Sequence, residues 1–301
     1  MQHICKSKKT YTLKEVNPRP KAKGQKPKAN GQPPTAKSQR PTKYDRIGNN
    51  YNQTRKADPL LVDKLFNLLD AKPGQTCLDV GCGTGNYTKA MAAKGLEMTG
   101  IDPSSKMLEK TSLGESSSDV CWMQGRAEEL PFMDGIFHKA ICTLTIHHWD
   151  SLEKGFSEVF RVLIPGGKLV LFTSTPQQME GYWLQNYFPK MMKKSLQQMP
   201  SENHVLEALN LAGFKNFNRE PYFIRKDQID LFLYAGKERP ELYLDENVRN
   251  GISSFSDLAN QEEVKNGLKQ LRKDLESGEW TAIQDRFKNE MGDYLFLIAE
   301  K

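Results

Sequence analysis

The chain has 301 residues, 38% of them hydrophobic and 27% charged, with a formal net charge of +6. That suits a folded domain with a sizeable core. No run approaches the roughly 18 apolar residues that a membrane span needs, and the N-terminus holds no apolar signal-peptide core. The five cysteines, Cys5, Cys77, Cys82, Cys121 and Cys142, form no Cys-x-x-Cys pair. They read as small buried thiols of a reducing, cytoplasmic protein, with no metal site.

The charge is unevenly spread. Residues 1–43 hold 12 Lys/Arg and one acid, Glu15, for +11, which leaves 31 basic and 36 acidic residues in 44–301, for −5. Residues 1–43 are rich in Lys, Pro, Gly, Gln and Ser, cannot bury enough surface to offset ordering, and are expected to be disordered. Two readings stand for them: an electrostatic tether for nucleic acid or acidic membrane, or a solubilising tail.

The fold begins at Tyr44, and residues 44–301 are expected to form one domain. Pro59 to Leu69 has the apolar spacing of an amphipathic helix, with Leu61, Leu65, Leu68 and Leu69 on one side. After the turn Lys72-Pro73-Gly74, Thr76 to Val80 is a strand. Gly81, Gly83 and Gly85 follow as a turn that a ligand can approach closely, and Thr88 to Lys94 is a helix. Further strands are expected through Ile101-Asp102, over Val120 to Gln124 and over Phe137 to Ile146. Ser151 to Leu163 is a helix, followed by a Pro-Gly-Gly turn and a strand to Phe172. Glu202 to Leu211 is a helix, Asn216 to Ile224 a strand and Gly292 to Ala299 the last strand. Residues 225–291 between these strands are too long for a structureless loop. They predict a helical insertion with helices over Lys226 to Tyr234, Asn247 to Leu258, Glu262 to Leu275 and Trp280 to Asn289. Segment 176–200 concentrates Met and aromatic residues, either as helix packing or as an adaptable lid over the substrate.

A strand, a glycine turn and a helix N-terminus make a nucleotide-binding corner. The spacing is Gly-x-Gly-x-Gly, not the Gly-x-Gly-x-x-Gly of dinucleotide binders, and the acid Asp79 two residues earlier would repel a pyrophosphate. This disfavours a nicotinamide-dependent oxidoreductase. Asp79-Val80-Gly81-Cys82-Gly83-Thr84-Gly85 resembles motif I of the class I S-adenosylmethionine (SAM) methyltransferases. Three further stretches add to the resemblance: Asp102-Pro103-Ser104-Ser105-Lys106-Met107-Leu108, Gly125-Arg126-Ala127-Glu128-Glu129-Leu130-Pro131-Phe132, and Arg161-Val162-Leu163-Ile164-Pro165-Gly166-Gly167. The whole is similar to the small-molecule branch that includes ubiquinone and menaquinone methyltransferases.

The resemblance implies an α/β fold, a doubly wound, seven-stranded, mostly parallel sheet of Rossmann-like form, with the last strand antiparallel between the fifth and sixth and the helical cap 225–291 inserted before it. It implies SAM as cofactor, with Asp79, Gly81, Cys82, Gly83, Gly85, Asp102, Pro103, Met107, Arg126, Ala127 and Thr143 around it. Asp102 would accept both ribose hydroxyls and Met107 would pack on the adenine. Arg126 stands where the family has an acid, so backbone groups of Arg126 and Ala127 would read the ring. The pattern from Tyr44 to Arg55 resembles an opening segment that closes over the cofactor. There Tyr51 faces the sulfonium through a cation–π contact and Arg55 pairs with a carboxylate, or both simply hold the N-terminal helices in place. His147 or His148 at the carboxyl edge of the sheet is either a general base or part of a His-His-Trp turn that shapes the wall. The acceptor implied is a small molecule. A nucleic-acid methyltransferase tethered by the basic tail and a non-catalytic SAM-binding module remain the alternatives.

Overall fold

A computed structural model describes residues 51–112 and 120–301; the side chain of Tyr51, like the tail 1–43 and residues 44–50, lies outside the described residues. Two helices lead in, α1 (Tyr51–Thr54) and α2 (Pro59–Leu68). Asp58 starts α2 by accepting from the Leu60 and Leu61 amides, and Pro59, lacking an N–H, occupies a position where none is needed.

Strand and helix then alternate: β1 (Thr76–Val80), α3 (Asn86–Ala93), β2 (Glu97–Asp102), α4 (Ser105–Glu109), β3 (Cys121–Gln124), β4 (Phe137–Thr143), α5 (Leu152–Val162) and β5 (Leu163–Thr173). After α6 (Pro176–Glu180), α7 (Pro189–Gln198) and α8 (Glu202–Ala212) comes β6 (Lys215–Tyr222). The insertion holds α9 (Glu246–Asn250), α10 (Gln261–Ser277) and α11 (Glu279–Asp285), and β7 (Tyr294–Glu300) closes the chain.

The seven strands form one sheet in the order β3-β2-β1-β4-β5-β7-β6. All pairings are parallel except those of β7, which runs antiparallel to β5 and β6. This is the Rossmann-like, doubly wound arrangement expected. Alternate residues feed opposite faces. Cys77, Met98, Ile141, Val170 and Phe172 pack with α2, α3 and the insertion, whereas Leu78, Val80, Ile101, Ala140 and Leu171 pack with α5 and α8.

Several expected elements differ. Lys226 to Tyr234 is not a helix but a series of turns. Its polar side chains are committed elsewhere: Asp227 binds Arg225, Gln228 accepts from the Tyr222 hydroxyl, and Asp230 is held by Arg55 and Tyr87. Such commitments compete with a helical backbone. The expected helix Asn247 to Leu258 divides into α9 and a π-helical turn, Ser254–Leu258, and the helix over Trp280 to Asn289 ends at Asp285. β4 stops at Thr143, before a 3-10 turn over Ile146–His148. The Pro165-Gly166-Gly167 turn is absorbed into β5, where the register slips between Phe137 and Lys139 on the neighbouring strand.

Segment 176–200 is buried over much of its length, and Met179, Ser195, Gln198 and Met199 line a cavity that runs under the insertion. Tyr182, Trp183, Tyr187, Phe188, Met191 and Met192 are all buried. Tyr182 stacks on Tyr234 at 3.8 Å, and Trp183 meets Tyr243 and Trp280 edge-on. The segment and the insertion therefore form one aromatic body on the carboxyl side of the sheet.

Candidate active site

One cavity opens at the carboxyl ends of β1, β2 and β4 and runs under the insertion. At one end the glycine turn forms its floor. Gly81, Gly83 and Gly85 have φ values of +77°, +56° and +77°, in the region that side-chain-bearing residues avoid. A Cβ at Gly81 would lie 1.9 Å from the Thr145 hydroxyl oxygen, and one at Gly85 2.2 Å from the Trp122 ring. Above Gly83 a Cβ would meet nothing within 4 Å. The turn is thus closed from below and open to the cavity at Gly83.

Beside it, Asp102 ends β2. It is 8% exposed, accepts from the Gly83 amide at 2.9 Å and from the Ser104 amide at 2.8 Å, and lines the cavity. These two amides orient the carboxylate at the cavity. The cap of α4 is Ser104, not Asp102. Met107, one turn along, is buried with its side chain at the cavity wall.

Asp79 stands differently. It lies beneath the turn, outside the lining, and its Oδ2 accepts from the Thr88 hydroxyl at 2.6 Å, which ties β1 to α3. Its Oδ1 is buried with no hydrogen-bond partner among the described residues. Burial raises this carboxyl to about pKa 7; the Thr88 hydrogen bond opposes the shift and nearby Asp102 adds to it. The Cys82 thiol is also pushed up, first by burial and then by Asp102 and Asp79, so it is no nucleophile at neutral pH.

Of the residues singled out from sequence, Arg55, Gly81, Cys82, Gly83, Asp102, Met107, Thr143, His147 and His148 share this cavity. Asp79, Gly85, Pro103, Arg126 and Ala127 do not line it. Ala127 is buried, whereas the Arg126 side chain is 52% exposed and ion-paired with Asp150. With Glu128 accepting from the Asp150 amide, Arg126 holds its loop to the turn after β4.

His147 and His148 sit on the 3-10 turn with ring centroids 3.9 Å apart, and both face the cavity. Trp149 instead packs on Phe156 and closes against Gly155, where a Cβ would lie 2.3 Å from its ring. The turn therefore builds the wall and also presents two imidazoles to the ligand space. Just before it, Leu144 has φ +51° and lines the cavity. A left-handed leucine is strained, and such strain collects at functional sites. Nothing in the sequence marks it.

Sequence reasoning also missed Asp230. This insertion residue is 1% exposed, accepts from Arg55 Nε at 2.6 Å and from the Tyr87 hydroxyl at 3.0 Å, and lines the cavity. Beyond it the wall comes from β5, segment 176–200, the insertion and β7. Phe172 stacks on Tyr294 with centroids 5.4 Å apart, and Phe232 meets Tyr294 edge-on at 4.8 Å. Ser195 and Ser254 share a 2.9 Å hydrogen bond at the far side.

The glycine cradle, the strand-end carboxylate and the adjoining polarizable Met107 fit an adenosyl ligand whose ribose reaches Asp102. The Asp102 carboxylate beside the glycine turn suits a cationic sulfonium better than a pyrophosphate.

Known methyltransferases resemble this chain in sequence and fold. A family model described as a methyltransferase domain matches residues 78–171. A solved structure from Anabaena variabilis, a putative methyltransferase from an antibiotic biosynthesis pathway, is 35% identical, covers 82% of this chain and 99% of its own, and superposes with a TM-score of 0.74. The demethylmenaquinone methyltransferase of Bacillus licheniformis is 29% identical over 210 residues, 60% of this chain and 89% of that protein. The phosphoethanolamine N-methyltransferase 2 of Haemonchus contortus, solved with S-adenosyl-L-methionine, shares the fold at 20% identity and a TM-score of 0.54, covering 86% of this chain and 56% of its own.

Proposed function

We propose that this chain, which belongs to the class I SAM-dependent methyltransferases, moves the methyl group to a small, uncharged and largely apolar acceptor by in-line displacement. The observation that carries this reading is the acceptor wall. Beside Asp230, which is held by Arg55, it gathers Phe172 of β5, Tyr294 of β7, Phe232 of the insertion and Met179 and Met199 of segment 176–200, with serines and Gln198. Burying a charged group against those aromatic and methionine faces costs several kcal/mol unless it is paired. A flat or prenylated neutral molecule meets aromatic faces and adaptable methionines instead. The name of the Bacillus relative, a demethylmenaquinone methyltransferase, supports the same acceptor class.

SAM brings a methyl group already activated by its sulfonium. What remains for the chain is alignment, which can contribute about 7–11 kcal/mol. On this reading Gly83 admits the cofactor close to the backbone, Asp102 takes the ribose hydroxyls, and Met107 packs on the adenine. Thr143, Leu144 and the histidine turn fix the angle at which the acceptor approaches. His147 or His148 takes the acceptor's proton where the nucleophile is a hydroxyl.

The test is calorimetric titration with SAM, S-adenosylhomocysteine and NAD, followed by assays for S-adenosylhomocysteine release. Binding of the two adenosyl ligands alone, and turnover with hydroquinones or other neutral phenols, is the expected result. Turnover confined to phosphorylated amines or RNA would overturn the acceptor class.

A further inference from the structure

Three segments distant in sequence meet at one buried carboxylate. Arg55, at the end of the opening segment, donates from Nε to Asp230 Oδ1 at 2.6 Å and from Nη2 to Oδ2 at 3.5 Å. Tyr87, in the first turn of α3, donates its hydroxyl to Oδ2 at 3.0 Å. Burial and the Asp230 charge both raise the Tyr87 pKa, so the phenol keeps its proton as donor. Backbone ties flank the carboxylate: the Leu231 amide donates to Thr54 O at 2.9 Å, and Asn86 Nδ2 donates to Arg55 O at 2.7 Å. Asn86 and Tyr87 directly follow the glycine turn. Phe232, two residues from Asp230, belongs to the acceptor wall, with the Arg55 guanidinium carbon 6.0 Å from its centroid.

We propose that Asp230 is a positioning residue: through Arg55 it fixes the end of α1 (Tyr51–Thr54) at the cofactor end of the cavity, so that the insertion, not the glycine turn alone, sets SAM affinity. A buried ion pair contributes little net stability compared with a well-packed neutral pair. What it does provide is geometry. Two roughly parallel hydrogen bonds fix a guanidinium plane more tightly than a point charge would. A carboxylate shared by Arg55 and Tyr87 also transmits a shift of the insertion to the first turn of α3. Cofactor and acceptor walls then move as one unit, because Asp230 and Phe232 lie on the same turn.

The inference rests on SAM being the ligand, and calorimetry on the full chain separates the two. Wild type, Asp230→Asn, Asp230→Glu, Arg55→Ala and the Arg55→Ala/Asp230→Asn pair are titrated with SAM, and the unfolding midpoint of each is measured without ligand. Asp230→Asn is expected to weaken SAM about fivefold or more, Asp230→Glu to recover most of that affinity, and the double variant to bind no worse than Arg55→Ala. Unchanged affinity in Asp230→Asn, or losses that simply multiply in the double variant, would overturn the proposal. Should Asp230→Asn fail to fold, Arg55→Lys takes its place. It keeps a cation beside Asp230 but loses the planar fork, and unchanged SAM affinity in it overturns the proposal equally. A wild-type chain that binds no SAM would instead overturn the cofactor assignment.

Discussion

Asp102 and Asp79 are both acids at strand ends beside the glycine turn, yet their surroundings give them different work. Asp102 faces the cavity with two amides already donating to it, so it is pre-aligned for a ribose. Asp102→Ala should therefore weaken SAM about tenfold or more, since hydrogen bonds to charged groups contribute about 1.5–3 kcal/mol. Unchanged affinity by calorimetry would remove the ribose assignment. Asp79 faces inward and is held near pKa 7 by burial, against an ordinary value of 3.8. The folded state thus binds this proton more tightly than the unfolded state. Stability from this group is full below pH 4 and is lost as pH rises to about 7, by at most about 4 kcal/mol. Asp79→Asn keeps an acceptor for Thr88 and removes the titration. The ligand-free melting temperature of wild type should fall against that variant between pH 4 and 7 and then run parallel. Parallel curves throughout would show that Asp79 titrates normally.

At the scale of elements, what the sequence discloses follows from the range of the forces involved. The β1–turn–α3 unit is legible because local chemistry dictates it: alternating glycines can take positive φ, and the last of them, Gly85, caps the helix that starts at Asn86. The order of strands, with β7 inserted antiparallel, follows from the resemblance and agrees with the sheet. The insertion is less legible, since its form depends on distant partners. Lys226 to Tyr234 has helix-compatible residues, but Asp230 answers to Arg55, 175 positions away, and no periodicity reports that. Segment 176–200 could not be assigned as core or lid from composition, because Met and aromatic residues serve both. In the structure Met179, Ser195, Gln198 and Met199 face the cavity, while most of the segment packs against the insertion, closely so at Gly267 of α10. A Cβ there would lie 2.4 Å from Tyr187 O and 2.5 Å from the Phe188 ring. Gly267→Val should therefore drive α10 off segment 176–200 and cost about 1–3 kcal/mol, the usual range for overpacking. A thermal melt within a degree of wild type would mean that these elements are not tightly joined. Leu144, left-handed at the cavity wall, was equally invisible, because leucine carries no preference for that backbone.

For the whole molecule, the decisive asymmetry is charge. The net +6 of the chain divides into +11 over residues 1–43 and −5 over residues 44–301. Among the described residues no helix is long and apolar enough to cross a membrane. A methyltransferase that works on nucleic acid must neutralise several phosphates, and its affinity then falls steeply with salt. Here that capacity belongs to the tail, since the folded body is acidic and repels a polyanion at long range. The two readings of the chain therefore part on one deletion. If the acceptor is a neutral small molecule bound in the cavity under the insertion, removing residues 1–43 leaves the cavity residues in place. SAM affinity should then stay within about twofold, turnover of a neutral acceptor should persist, and only salt-sensitive binding to polyanions should be lost. If the substrate is RNA, the same deletion should abolish turnover while leaving SAM affinity intact, because the tether and the cofactor site are separate in sequence. Measuring SAM affinity and turnover on both chains, at 50 mM and about 200 mM salt, distinguishes these outcomes. Turnover that is indifferent to salt and to the tail supports the small-molecule reading, whereas turnover that needs the tail and collapses with salt excludes it.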